Sequence, residues 1–171
     1  MTAKPNKKYQ RTKSLLIHGV ILFAIYFAVQ LYQTRATPSG QAPELHGILL
    51  DGQHLTSLAQ LEKPVLVHFW ATWCKICELE HNSINDIAQD HAVIAVASQS
   101  GDLSTVKRFT EKNHINYPSI VDIHGIHTKN WGIQGFPTSF IIDKNNHIRF
   151  TEVGLTSELG LRFRLWLATF F

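Results

Sequence analysis

Pro64-Val65-Leu66-Val67-His68-Phe69-Trp70-Ala71-Thr72-Trp73-Cys74-Lys75-Ile76-Cys77 decides how the chain reads. Pro64 to Trp70 is a short, almost continuous apolar run, the pattern of a strand buried on both faces of a parallel sheet. From Cys74 to about His91 the apolar positions Ile76, Leu79, Ile84, Ile87 and Ala88 fall mostly on one helical face, with acids and amides between them. The segment is therefore strand, loop, helix, with a Cys-x-x-Cys pair where the helix begins.

A second unit follows. A strand over Ala92 to Ala97, a Gly101-Asp102 turn, a helix from about Leu103 to His114 and a strand over Ser119 to Asp122 continue the alternation. Such a βαβ order implies a parallel sheet with right-handed crossovers. Further on, Thr138 to Asp143 and Ile148 to Val153 flank the polar turn Lys144-Asn145-Asn146-His147, an antiparallel hairpin. A helix from about Thr156 to Phe171 ends the chain, its residues Leu159, Phe163, Trp166 and Phe170 sharing one face, expected to cover the sheet or else to touch a membrane surface. Ahead of this core, Leu45 to Leu50 with Asp51-Gly52 reads as a strand and tight turn. The fold class is α/β, a mixed central sheet with helices on both faces.

The chain's 171 residues suit one sizeable domain and a short extra segment, and a composition 44% hydrophobic and 17% charged argues against disorder and a multi-span membrane protein. Its basicity is local. Lys4, Lys7, Lys8, Arg11, Lys13 and Arg35 occupy residues 1 to 35 without any acid, and the remainder holds ten Lys and Arg against thirteen Asp and Glu. No basic patch for nucleic acid is indicated.

Residues 15 to 32 form an uncharged, mostly apolar run of 18. As a helix it spans about 27 Å, near the lower limit for crossing a membrane. Residues 1–14 then form a basic cytoplasmic leader, 15–33 a single-pass anchor in the inner membrane, 34–43 a Pro/Gly-containing linker, and 44–171 a domain facing the periplasm or cell exterior. A cleavable signal peptide is the competing reading. The length of the run and the lack of a clean small-x-small site speak against it.

Only two cysteines occur, three apart. A structural zinc site or a disulfide-stapled mini-domain needs more, so a redox pair is the natural reading. The N–H groups and dipole of a helix start favour thiolate at Cys74, with Lys75 adding positive charge. Cys74 is then the exposed nucleophile and Cys77 the buried resolving thiol. Glu80, three residues after Cys77, lies on the same helix face. It is either a general base for that thiol or a solvated acid early in a helix. His68 is a core histidine or a proton relay. Trp70 and Trp73 flank the loop. Pro137, in Gly135-Phe136-Pro137-Thr138, sits at a strand start where a cis bond is possible, or marks only a strand-initiating turn. The pair could alternatively hold Cu(I), which soft thiolates prefer, and His68 or His81 could join adventitious copper or zinc binding.

Residues 65 to 77 resemble the strand-to-active-site segment of the thioredoxin superfamily, and Phe136-Pro137-Thr138 resembles its cis-proline loop. The pattern Trp70-Ala71-Thr72-Trp73-Cys74-x-x-Cys77-x-x-Glu80 is similar to the TlpA-like branch. Ser98-Gln99-Ser100-Gly101-Asp102, Tyr117-Pro118 and the ending from Gly154 are similar to ScsD-type proteins, named for suppression of copper sensitivity. The resemblance implies a thioredoxin-like fold and thiol:disulfide exchange with protein substrates, with no cofactor beyond the two thiols. It further implies a membrane partner that supplies electrons. Cys74, Cys77 and Glu80 would be catalytic, while Trp73, Phe136, Pro137 and Thr138 would meet the substrate. The aspartate familiar from thioredoxin falls at His68 here, so an aspartate-based relay does not apply.

Overall fold

The computed structural model describes residues 7–171, apart from the side chains at 7–12, 26, 27, 30, 31, 33 and 36. The chain divides into two units at Arg35/Ala36. The first is a helix, α1 (Lys7–Gln33). Among the described residues no helix is long and apolar enough to cross a membrane. The anchor expected at 15–33 falls partly on side chains outside those described, and part of the leader expected at 1–14 lies outside the described residues altogether.

The second unit holds β1 (Gly40–Gln41), β2 (Gly47–Ile48), β3 (His54–Leu55), β4 (Val65–Trp70), α2 (Lys75–Ile87), β5 (Ala92–Ser98), α3 (Leu103–Lys112), β6 (Ser119–Asp122), α4 (Ile126–Asn130), β7 (Thr138–Ile142), β8 (His147–Val153) and α5 (Glu158–Ala168). Six strands form one sheet in the order β1-β8-β7-β4-β5-β6, and β2 and β3 form a separate hairpin. β4, β5 and β6 run parallel, while β7 is antiparallel to β4 and β8 to β7. The sheet is mixed, as the sequence pattern implies. Its first strand lies within the stretch read as linker: Gly40 and Gln41 pair with Ile148 and His147, and Ala42 is buried.

The pleat sends alternate residues of β4 to opposite faces. Leu66 and Trp70 join Ile84 and Ile87 of α2, Val106 of α3, and Leu161, Leu165 and Ala168 of α5 in one core. Val65, Val67 and Phe69 join Leu45, Leu55, Leu58, Phe140 and Trp131 in the other. Every residue of β4 is buried, which explains why it reads as an almost continuous apolar run, broken only by His68.

Two helix faces differ from expectation. On α2, Ile84 and Ile87 are buried but Ile76 and Leu79 face outward, because the first turn borders the active-site surface instead of the sheet. On α5, Leu159, Phe163, Trp166 and Phe170 do not cover the sheet. Leu161, Leu165 and Ala168 do, and the aromatic stripe is exposed. A helix apolar on two sides gives a periodicity that does not say which side packs.

Candidate active site

β4 ends at Trp70, and the chain turns through Ala71, Thr72 and Trp73 into α2. Two hydrogen bonds from the loop after β5 brace this turn. The Thr72 N–H donates to Ser100 Oγ at 3.0 Å, and the Trp73 indole N–H donates to the Gln99 carbonyl at 3.1 Å. Sequence reasoning gave Gln99 and Ser100 no role at the site; nothing local to them signals a contact with a loop across the sheet.

Cys74 is the N-cap of α2, and its Sγ accepts the Cys77 N–H at 3.2 Å. A helix start leaves N–H donors unsatisfied, and a sulfur held against one gains most when it carries negative charge. The two cysteines are joined as a disulfide with Cα atoms 5.3 Å apart. They differ in access: Cys74 is 8% exposed and Cys77 fully buried. Lys75 contributes less positive field than its position suggests, because its ammonium is solvated and paired with Glu78 at 2.9 Å.

Opposite the pair lies the loop before β7. The Phe136–Pro137 peptide is cis, Thr138 donates its hydroxyl to the Gly135 carbonyl at 2.8 Å, and the Phe136 ring meets Trp73 edge-on at 5.5 Å between centroids. Trp73, Cys74, Lys75, Ile76, Gln134, Gly135 and Phe136 line an open groove of about 520 Å³ with mostly apolar walls. Phe136 and Trp73 reach this groove; Thr138 is buried at the head of β7 beneath it.

Behind the disulfide is a buried polar cluster. Glu80 is 1% exposed, and one carboxylate oxygen accepts the Thr156 N–H while the other has no partner. Burial raises its pKa to about 7, against the opposing pull of the Thr156 N–H. His81, also buried, shares a 2.8 Å hydrogen bond between its Nδ1 and the Tyr117 hydroxyl, and burial lowers its pKa to about 4. His68 shares one at 2.9 Å with the Ser139 hydroxyl, and burial, with His81 nearby, lowers its pKa to about 3. Both rings are therefore neutral near pH 7, with Nε2 unpartnered. Tyr117 is pushed well above its usual value by burial and by Glu80. Among the described residues no group of three or more His, Cys, Asp or Glu is placed to hold a metal ion.

The arrangement can perform two-electron sulfur chemistry. A slightly exposed cysteine lines an apolar groove, a fully buried one sits one helical turn inward, and a carboxyl that titrates near neutrality follows on the same helix.

Comparison with known proteins agrees. The Redoxin family matches residues 35–159. A thioredoxin-like protein of Haemophilus influenzae is 32% identical over 166 residues, covering 94% of this chain and 99% of the relative. The thiol:disulfide interchange protein DsbE of Pseudomonas fluorescens is 33% identical over 129 residues, 75% of this chain and 70% of that one. Among solved structures, the exposed lipoprotein thioredoxin of Streptococcus pneumoniae superposes with a TM-score of 0.66 at 24% identity, covering 73% of this chain and 99% of that one. At that identity the likeness shows the fold alone. With the family matched across most of its length and the disulfide placed at a helix start on a mixed sheet, the chain belongs to the redoxin family of the thioredoxin superfamily.

Proposed function

We propose that the chain is a thiol:disulfide oxidoreductase acting on protein thiols and disulfides, the activity carried in the name of its DsbE relative. The observation that carries this reading is the unequal pair: Cys74 open to a groove at a helix N-terminus, Cys77 sealed behind it. In the reducing direction, the Cys74 thiolate attacks one sulfur of a substrate disulfide and expels the other as thiolate. Cys77 gives up its proton and attacks Cys74 Sγ, which closes the Cys74–Cys77 bond and releases the substrate carrying two electrons. Glu80 takes the Cys77 proton, a task suited to a carboxyl whose pKa lies near 7. Phe136, Pro137 and Thr138 present the loop against which the substrate backbone lies, and Trp73 supports it.

Reduction in an oxidising compartment needs a supply of electrons, so a dithiol partner in the membrane completes the cycle. The apolar run 15–32 within α1 supports an inner-membrane anchor with the catalytic domain on the periplasmic or outer side. Cys77→Ser in the full chain tests the exchange reading. It is expected to accumulate mixed disulfides at Cys74 that dithiothreitol releases, and Cys74→Ser to accumulate none. Absence of adducts from Cys77→Ser under conditions where the wild type turns over overturns the reading.

A further inference from the structure

α5 and the residues that follow it carry an exposed aromatic cluster that the exchange chemistry does not use. Phe163, Trp166, Phe170 and Phe171 are 56%, 53%, 67% and 46% exposed. Phe163 stacks on Trp166 at 5.9 Å, and Trp166 meets Phe170 edge-on at 5.0 Å. Single exposed apolar residues are ordinary, but a contiguous patch of large rings marks a contact surface.

The position of the patch identifies its partner. The Arg149 guanidinium lies 4.5 Å over the Phe171 ring. Arg149 follows His147 and Ile148, the residues that pair with β1. The chain therefore enters the domain on the side of the sheet where Phe171 lies. Between the end of α1 at Gln33 and the start of β1 at Gly40 lie only residues 34–39. Fully extended, they reach about 20 Å. Lys144, in the turn between β7 and β8, places an exposed basic group at this same end of the sheet, while Arg149 is paired with the buried Asp143 at 2.6 Å.

We propose that Phe163, Trp166, Phe170 and Phe171 seat the domain on the surface of a phospholipid bilayer, the rings entering the headgroup layer and Lys144 meeting lipid phosphates. This rests on the anchor reading given above: a tether this short keeps the domain within reach of the bilayer that α1 enters. The seating orients the enzyme. β4 runs from the tethered end of the sheet, where Val65 is level with Ile142 and Ile148, toward Trp70 and the disulfide. At about 3.3 Å per residue that strand alone spans about 20 Å, so Cys74 is held away from the lipid and open to proteins arriving from the aqueous side.

The test uses the full chain in nanodiscs of phosphatidylcholine and phosphatidylglycerol, with bromine on the upper acyl carbons as a fluorescence quencher. Tryptophan emission is expected to be partly quenched, Trp166→Phe to abolish the quenching, and Trp73→Phe to leave it unchanged. Equal quenching in wild type and Trp166→Phe, or none in a protein that stays on the discs, overturns the seating while sparing the anchor. Quenching of Trp166 that is lost when two copies share a disc assigns the patch to a second copy and overturns it too. Release of the protein from discs by a high-salt wash overturns the anchor, and the seating with it.

Discussion

At the scale of single residues the decisive group is Glu80. Near neutral pH its pKa of about 7 leaves it part ionised, the state in which the proposed mechanism has it take the Cys77 proton. Glu80→Gln is expected to slow resolution of the mixed disulfide at pH 7 by on the order of tenfold or more, measured by rapid-quench kinetics. An unchanged rate reduces Glu80 to a structural acid. The same shift has a stability consequence. The folded pKa is raised above the unfolded value of 4.5, so the stabilisation is complete below about 4.5 and is lost as pH rises through about 7. In the oxidised protein, Glu80→Gln should therefore gain stability on the wild type between pH 4.5 and 8, by up to about 3 kcal/mol in urea unfolding. The Cys-x-x-Cys pair and the spacing of Glu80 were legible in the sequence, since both are local. The burial of Glu80 was not, because the Thr156 N–H and Tyr117 that surround it come from far along the chain. Gln99 and Ser100 escaped for the same reason.

Among the elements, α2 shows what a helix start does for a sulfur. In the reduced protein Cys74, as N-cap, is expected to ionise well below Cys77, and alkylation by iodoacetamide as a function of pH reads the difference; equal reactivity removes the assignment of nucleophile. α4 went unread in the sequence. Five residues are too few to show a period, and a helix so short does not hold itself. It is held by Asp122, whose carboxylate accepts the N–H groups of Ile126 and Thr128 at 2.8 and 2.9 Å and the Thr128 hydroxyl at 2.7 Å. Trp131, the C-cap of α4, is wholly buried in one of the two cores. Asp122→Ala is expected to cost about 2 to 3 kcal/mol in urea unfolding while leaving exchange at Cys74 intact. The strands β4 and β5, by contrast, were plain from their mostly apolar runs, because burial on both faces favours apolar residues, and β7 from the polar turn that follows it. The face α5 would bury was the reverse of the one expected, since both of its sides are apolar.

For the molecule as a whole, the histidines at 68 and 81 set the response to acid. Both have folded values depressed below the unfolded 6.5, so their contribution is present above about pH 6.5 and is lost as pH falls toward 4 and 3. Glu80 acts in the opposite sense between pH 7 and 4.5, which softens the loss there. His68→Asn, which keeps a polar partner for Ser139, is expected to reduce the fall of stability below pH 6 by up to about 1.4 kcal/mol per pH unit. Urea titrations at several pH values check this; an unaltered slope means His68 gains a proton without unfolding. The outer strands of the sheet are each partly covered. β1 closes over β8, with the Ala42 N–H donating to the Asn146 carbonyl at 2.8 Å. On the far side Leu49 bridges to Ile120 and the Leu50 N–H donates to the Ser119 carbonyl at 3.1 Å. These contacts cover His147 and Ile148 on one flank and Ser119 and Ile120 on the other, which shortens the edge along which a half-folded chain could pair.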